Sequence, residues 1–148
     1  MDLAQWQLDT DITAALSERK IAMVGLSANP ARPSHDVARV MQEQGYTIVP
    51  INPREDHVLG AISYPSLRAA TTDTGPIALV NVFRESSAVP AIAEEAVNIG
   101  ARFLWLQLGV ISLSGIKIAA AGGLTCIVDR CLKIEYQRLY GVQHRTGA

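Results

Sequence analysis

The chain has 148 residues, 49% of them hydrophobic, and a formal net charge of -1: enough apolar material for one cored domain, and no global attraction for nucleic acid or an acidic membrane. Cys126 and Cys131 are too few and too close for a disulfide framework, which points to a reducing compartment. No apolar run reaches the roughly 18 residues of a spanning helix, and the start MDLAQWQLDTDITAAL lacks a basic secretory leader, so a cytoplasmic setting is expected.

In chain order, Ile12, Ala15 and Leu16 behind Asp9-Thr10 predict a short amphipathic helix. Residues 21–24 form a continuous apolar run, the pattern of a strand buried on both faces. After a loop, Ser34 is the expected N-cap of a helix whose buried stripe is Val37, Val40 and Met41 and whose stop is Gly45. Residues 46–51 read as a second strand, ended by Asn52-Pro53. A short edge strand is expected at 61–64, a small helix from Ser66, and an apolar strand at 77–83. Ser86-Ser87 should cap the next helix, with Pro90 in its first turn and Ile92, Ala96 and Val97 inward. Strands follow at 103–107 and 124–128, with helices near 112–121 and 130–140, the last facing inward through Leu132, Tyr136, Leu139 and Tyr140.

Strands alternating with helices predict an α/β fold: a Rossmann-like, doubly wound, mainly parallel sheet of about five strands in three αβα layers. Expected boundaries are an N-terminal helical extension at 1–19, the nucleotide-type domain at 20–141 and a tail at 142–148. Right-handed crossovers would set the 77–83 strand beside the first strand, opposite the second. Ligands in such sheets bind beyond the carboxyl ends of the strands at this switch point, so residues 25–34, 52–54 and 82–84 should converge.

The first loop departs from G-x-G-x-x-G: it reads Gly25-Leu26-Ser27-Ala28-Asn29-Pro30, with Arg32 and Ser34 just before the helix. A helix start offers unpaired N–H groups and partial positive charge to a phosphate. Gly25 allows close approach, Ser27 and Ser34 offer hydroxyls, and Arg32 offers a charged fork. After the second strand, where an NAD site presents an acid to the ribose, stand Asn52, Pro53 and Arg54. A cation there suits a phosphorylated ribose, as in NADP or coenzyme A, although Glu55 and Asp56 could bring an acid back by a loop bend.

The stretch VGLSANPARPSHDVARVMQEQGYTIVPINP, followed by GAISYPSL, VNVFRESSAVP, FLWLQLGV and DRCLKIEYQRL, resembles the standalone CoA-binding domain family. That family is similar in fold to the CoA-binding domain of succinyl-CoA synthetase alpha subunits. The resemblance implies a Rossmann-like domain holding CoA at the carboxyl edge of the sheet. It assigns contacts to Ser27 through Ser34 (Ala28, Asn29 and Arg32 among them), to Arg54 near Asn52-Pro53, and to Val82, Phe83 and Arg84. Family members commonly carry an acid where Ala78 stands and a more acidic helix start around Ser114-Gly115, neither at a proposed contact. The phosphohistidine segment and ATP-grasp partner of the synthetase relatives do not fit this chain.

Gln107, alternating with Trp105 on the 103–107 strand, is a candidate for the pantetheine arm, with Gly109. Cys131 at a helix start beside Arg130 is a setting for thiol chemistry, but no partner base is evident, and Cys126 reads as core. No carboxylate pair suits acid–base work, and His35, His57 and His144 lack partners at metal-ligand spacing. The expected function is a non-catalytic module that binds or senses CoA or an acyl-CoA. The alternative is an NAD(P)-dependent oxidoreductase using the same crevice. Partners stay open between a homodimer and an acyl-CoA enzyme such as a ligase or acyltransferase, the N-terminal helix being the first surface to consider.

Overall fold

A computed structural model describes residues 2–141; the tail expected at 142–148, His144 included, lies outside the described residues. A 3-10 turn (Ala4–Trp6) and helix α1 (Asp9–Leu16) precede strand β1 (Lys20–Val24), helix α2 (Pro33–Glu43) and strand β2 (Thr47–Ile51). Two short strands, β3 (His57–Val58) and β4 (Ala61–Ile62), lead to helix α3 (Leu67–Thr74) and strand β5 (Leu79–Val82). Helix α4 (Val89–Asn98), strand β6 (Phe103–Leu106), helix α5 (Leu113–Ala121), strand β7 (Thr125–Ile127) and helix α6 (Leu132–Tyr140) complete the order.

The main sheet runs β2-β1-β5-β6-β7, and every pair is parallel. Its strands are apolar on both faces because both faces are covered. Ile21, Met23, Leu79, Phe103, Trp105 and Ile127 pack with Ile12, Leu16, Val37, Met41 and Leu132 of α1, α2 and α6. Ala22, Val24, Val80, Val82, Leu104 and Cys126 pack with Leu67, Ile92, Ala96, Ile116 and Ala119 of α3, α4 and α5. Strand alternation thus sorts the core into two layers, the α/β architecture expected from the pattern. Gly115 fits the tight α4–α5 contact: a Cβ there would lie 2.4 Å from Val89 Cγ1. The expected placement of β5 beside β1, opposite β2, holds, and the switch point falls between β1 and β5.

The N-terminal segment finishes the free side of β7. Val128 N–H donates to the Trp6 carbonyl at 3.1 Å, and Gln7 Nε2 donates to the Val128 carbonyl at 3.0 Å. Backbone groups at a sheet edge are thereby given partners.

Several local expectations are corrected. Residues 61–64 do not form one edge strand: β4 pairs antiparallel with β3 in a separate ribbon, and Tyr64 alone bridges Ile51 of the main sheet. Ser86 and Ser87 do not cap α4; they begin a 3-10 turn (Ser86–Ala88), and Ser86 Oγ instead accepts from Ile111 N–H at 3.0 Å. Tyr140 is not inward but exposed at the end of α6. Glu135 on α6 is buried, and the Arg138 guanidinium reaches back one turn to pair with it at 2.8 Å.

Candidate functional site

The three loops at the switch point meet at Gly25. Its N–H donates to the Ile51 carbonyl at 2.9 Å, while Phe83 N–H donates to the Val24 carbonyl at 2.8 Å. Gly25 has φ +89, and a Cβ there would stand 3.1 Å from Arg84 Cδ and 3.2 Å from the Phe83 carbonyl oxygen. Backbone conformation and crowding both require glycine. The aliphatic stem of Arg84 therefore lies directly over the first loop. Its guanidinium is exposed and pairs with Glu85 at 3.0 Å.

The start of α2 differs from the expected cap. Arg32 is the N-cap residue, with extended backbone (φ -86, ψ 141) and no side-chain cap bond, and Pro33 opens the helix. Ser34, now inside the helix, is buried, and its Oγ accepts from Ser27 N–H at 3.0 Å. The loop closes on itself further along. Asn29 N–H donates to Ser27 Oγ at 3.0 Å, Ala31 N–H to Asn29 Oδ1 at 3.0 Å, and Arg32 N–H to the Asn29 carbonyl at 3.0 Å. These short-range bonds are those that Ser and Asn offer in turns. Most loop N–H groups are consequently occupied. What the site offers an anion is the Ser34 hydroxyl proton, the helix start and the nearby cations.

The loop after β2 is tied to the first. Asn52 Nδ2 donates to the Leu26 carbonyl at 2.9 Å, and Asn52 Oδ1 accepts from Arg54 N–H at 3.0 Å. Asn52 is thus a brace between two loops. Glu55, the acid noted in the sequence, does bend back: its carboxylate accepts from Ala28 N–H at 3.4 Å. Pro53 and Arg54 are exposed, as is Arg32. Neither the Arg32 nor the Arg54 guanidinium has a hydrogen bond or ion pair among the described residues.

Val82 is fully buried beneath the site, and Phe83 is half-buried, packed on the α2 side of the sheet. Gln107 is buried too. Its Oε1 accepts from Leu132 N–H at 3.3 Å and from Asn81 Nδ2 at 3.2 Å. The backbone donor fixes the orientation of the Gln107 amide, which in turn fixes that of Asn81. Asn81 Oδ1, on a fully buried residue, has no partner among the described residues. Gln107 therefore ties the end of β6 to the start of α6.

Two groups that sequence reasoning passed over shape this edge. Lys133 Nζ pairs with Asp36 at 2.8 Å, joining α6 to the first turn of α2. The hydrogen bonds from Lys133, first, and Arg39 hold the Asp36 carboxyl below the usual carboxylate range. Asn81 gave no sequence signal, since it stands inside an apolar strand. Cys131 is the N-cap residue of α6 and buried, and burial pushes the mid-strand Cys126 thiol up to about 11. Among the described residues, no three His, Cys, Asp or Glu side chains cluster as metal ligands, and no helix is long and apolar enough to cross a membrane.

Comparison with other proteins agrees with the fold. Over 118 residues, 80% of the chain and 85% of the relative, it is 40% identical to the uncharacterized protein YneT of Bacillus subtilis (strain 168). A solved hypothetical protein from Pyrococcus horikoshii OT3 superposes with a TM-score of 0.87 at 31% identity, covering 95% of this chain and 98% of that one. A chain from Thermus thermophilus gives a TM-score of 0.81 at 32% identity, over 90% of this chain and 100% of the other. Residues 19–137 match the family profile described as CoA binding domain, and the chain belongs to that family.

Proposed function

We propose that this chain is a cytoplasmic module that binds coenzyme A or an acyl-CoA at the carboxyl edge of its sheet and carries out no chemistry on it. The observation that carries the reading is the pair of unpaired guanidiniums, Arg32 and Arg54, on two loops hydrogen-bonded to each other at the start of α2. A polyanionic carrier supplies the partners those cations lack. Arg84 joins them by leaving Glu85, an exposed pair that solvent screens and that gives way easily to a charged ligand. Gly25 makes room for the Arg84 stem over the first loop, Ser34 donates its hydroxyl proton, and Asn52 and Val82 hold the framework rather than the ligand. Sensing is the role such a module serves, through an acyl-CoA enzyme partner or a second copy.

Titration calorimetry with CoA, NADP and NAD tests this. CoA is expected to bind most tightly, and Arg32→Ala, Arg54→Ala and Arg84→Ala each to weaken it by about 1–3 kcal/mol. NAD binding more tightly than CoA, or full affinity in all three variants, overturns the reading. One observation favours a second reading: Glu55 reaches the first loop, so an acid is at hand for an unphosphorylated ribose diol, as an NAD-type dinucleotide requires.

A further inference from the structure

Past the phosphate notch along the same carboxyl edge, the ends of β6 and β7 open onto a depression of about 400 Å³. Its walls include Gln7, Leu108, Arg130, Cys131, Ile134 and Arg138. That volume lies within the range of roughly 300–1,000 Å³ typical of small-ligand sites. Two features define what it accepts. Leu108 and Ile134 are 54% and 50% exposed, two large apolar side chains turned to solvent on facing elements. The charges, by contrast, cancel. Arg138 is held by Asp9 at 2.6 Å and Glu135 at 2.8 Å, and both acids also line the depression. Arg130 donates to Gln7 Oε1 at 3.0 Å and to the Asp129 carbonyl at 2.9 Å. Two arginines face two carboxylates and an amide, which leaves no surplus cation for a phosphate. The fitting occupant is neutral, with amide groups and an alkyl chain.

The geometry points to this depression as the seat of the acyl end of an acyl-CoA, with pantetheine amides at Gln7 and Arg130 and the acyl chain over Leu108 and Ile134. The inference deepens the CoA reading and rests on it. The sheet order gives the required span. From the β1–β5 switch point to the β6–β7 gap is two strand spacings, about 10 Å. A pantetheine arm is about four residues of extended chain in length, roughly 14 Å. A ligand whose phosphates sit at α2 therefore delivers its thioester to Leu108. The N-terminal segment gains a role by supplying Gln7 and Asp9 to the far wall.

Calorimetry with CoA, acetyl-CoA and hexanoyl-CoA on the full chain, on Leu108→Asp and on Ile134→Asp tests the assignment. Both substitutions replace exposed side chains, and circular dichroism confirms folding. The wild type is expected to prefer hexanoyl-CoA over CoA by about tenfold or more, the low end of what burying a short alkyl chain supplies. Either substitution should bring that ratio close to one. Equal affinities for all three ligands in the wild type, or an unchanged ratio in both variants, overturns the inference while the CoA reading stands. No binding of any CoA species overturns both. Self-association that Leu108→Asp abolishes, with no acyl preference, assigns the patch to a second copy instead and likewise overturns it.

Discussion

Glu55 and Arg54 are adjacent in sequence and opposed in what they ask of a ligand. Arg54 carries an unpaired positive charge, whereas the Glu55 carboxylate occupies Ala28 N–H on the loop that would face phosphates. If the ligand is CoA, Glu55 is a repulsive neighbour kept for loop geometry. Replacing it by glutamine preserves an acceptor for Ala28 and removes the charge. Glu55→Gln is therefore expected to tighten CoA binding by about 1 kcal/mol, the scale of a charge–charge term across several ångströms near a solvated surface. If the ligand is an NAD-type dinucleotide, the same change removes the partner of the ribose diol and weakens binding. Calorimetry on this single variant separates the two readings by the sign of the change. Gly25 is a different case: the sequence marked it for close approach to a ligand, whereas the structure gives it a left-handed φ under the Arg84 stem, which leaves no alternative to glycine.

At the scale of elements, the strands were the most legible, because unbroken apolar runs such as 21–24 have few homes other than a covered parallel sheet. Helix α1 was readable from Ile12, Ala15 and Leu16, all buried as the spacing required. The starts of helices were less so. Ser34 and Ser86 carried the right chemistry for caps, yet each hydroxyl was taken by an N–H that folding brought close, from Ser27 and Ile111 respectively. Cap preference is local, whereas these partners lie seven and 25 residues away. Asn81 was hidden for the same reason, its partners Trp105 and Gln107 lying 24 and 26 residues away. Gln107 was noticed for its place at a strand end, and its observed bonds are to Asn81 and the α6 backbone. Gln107→Leu would leave Leu132 N–H without its acceptor in a buried setting, and the Asn81 amide with the Trp105 carbonyl alone at 3.4 Å. A loss of about 1–3 kcal/mol in urea unfolding is expected, the cost of orphaned buried polar groups. A variant as stable as the parent shows that α6 is positioned by apolar packing alone.

Across the whole molecule, the N-terminal segment is attached at both ends of the sheet. At the carboxyl edge it meets Val128 through Trp6 and Gln7; at the opposite edge the Tyr46 hydroxyl donates to the Leu16 carbonyl at 2.5 Å. Tyr46 closes the first crossover, just ahead of β2, and packs edge-on against Tyr136, with the Arg19 guanidinium 3.8 Å over its ring. Burial pushes its phenol from 10.0 up to about 12, even though the charge of Arg19 opposes the shift. The folded pKa thus lies above the unfolded one. The neutral phenol's contribution is complete below about pH 10 and is lost as pH rises through 12, because the unfolded chain gives up the proton first. The ionised phenolate also has no proton to donate to Leu16, so α1 loses its tie to the second strand. Melting temperature should accordingly fall between pH 10 and pH 12, and fall less steeply in Tyr46→Phe, which has no proton to lose at that position. Thermal melts of the two proteins at pH 8, 10 and 12 measure the difference; parallel decline in both would mean that alkaline unfolding starts elsewhere in the chain.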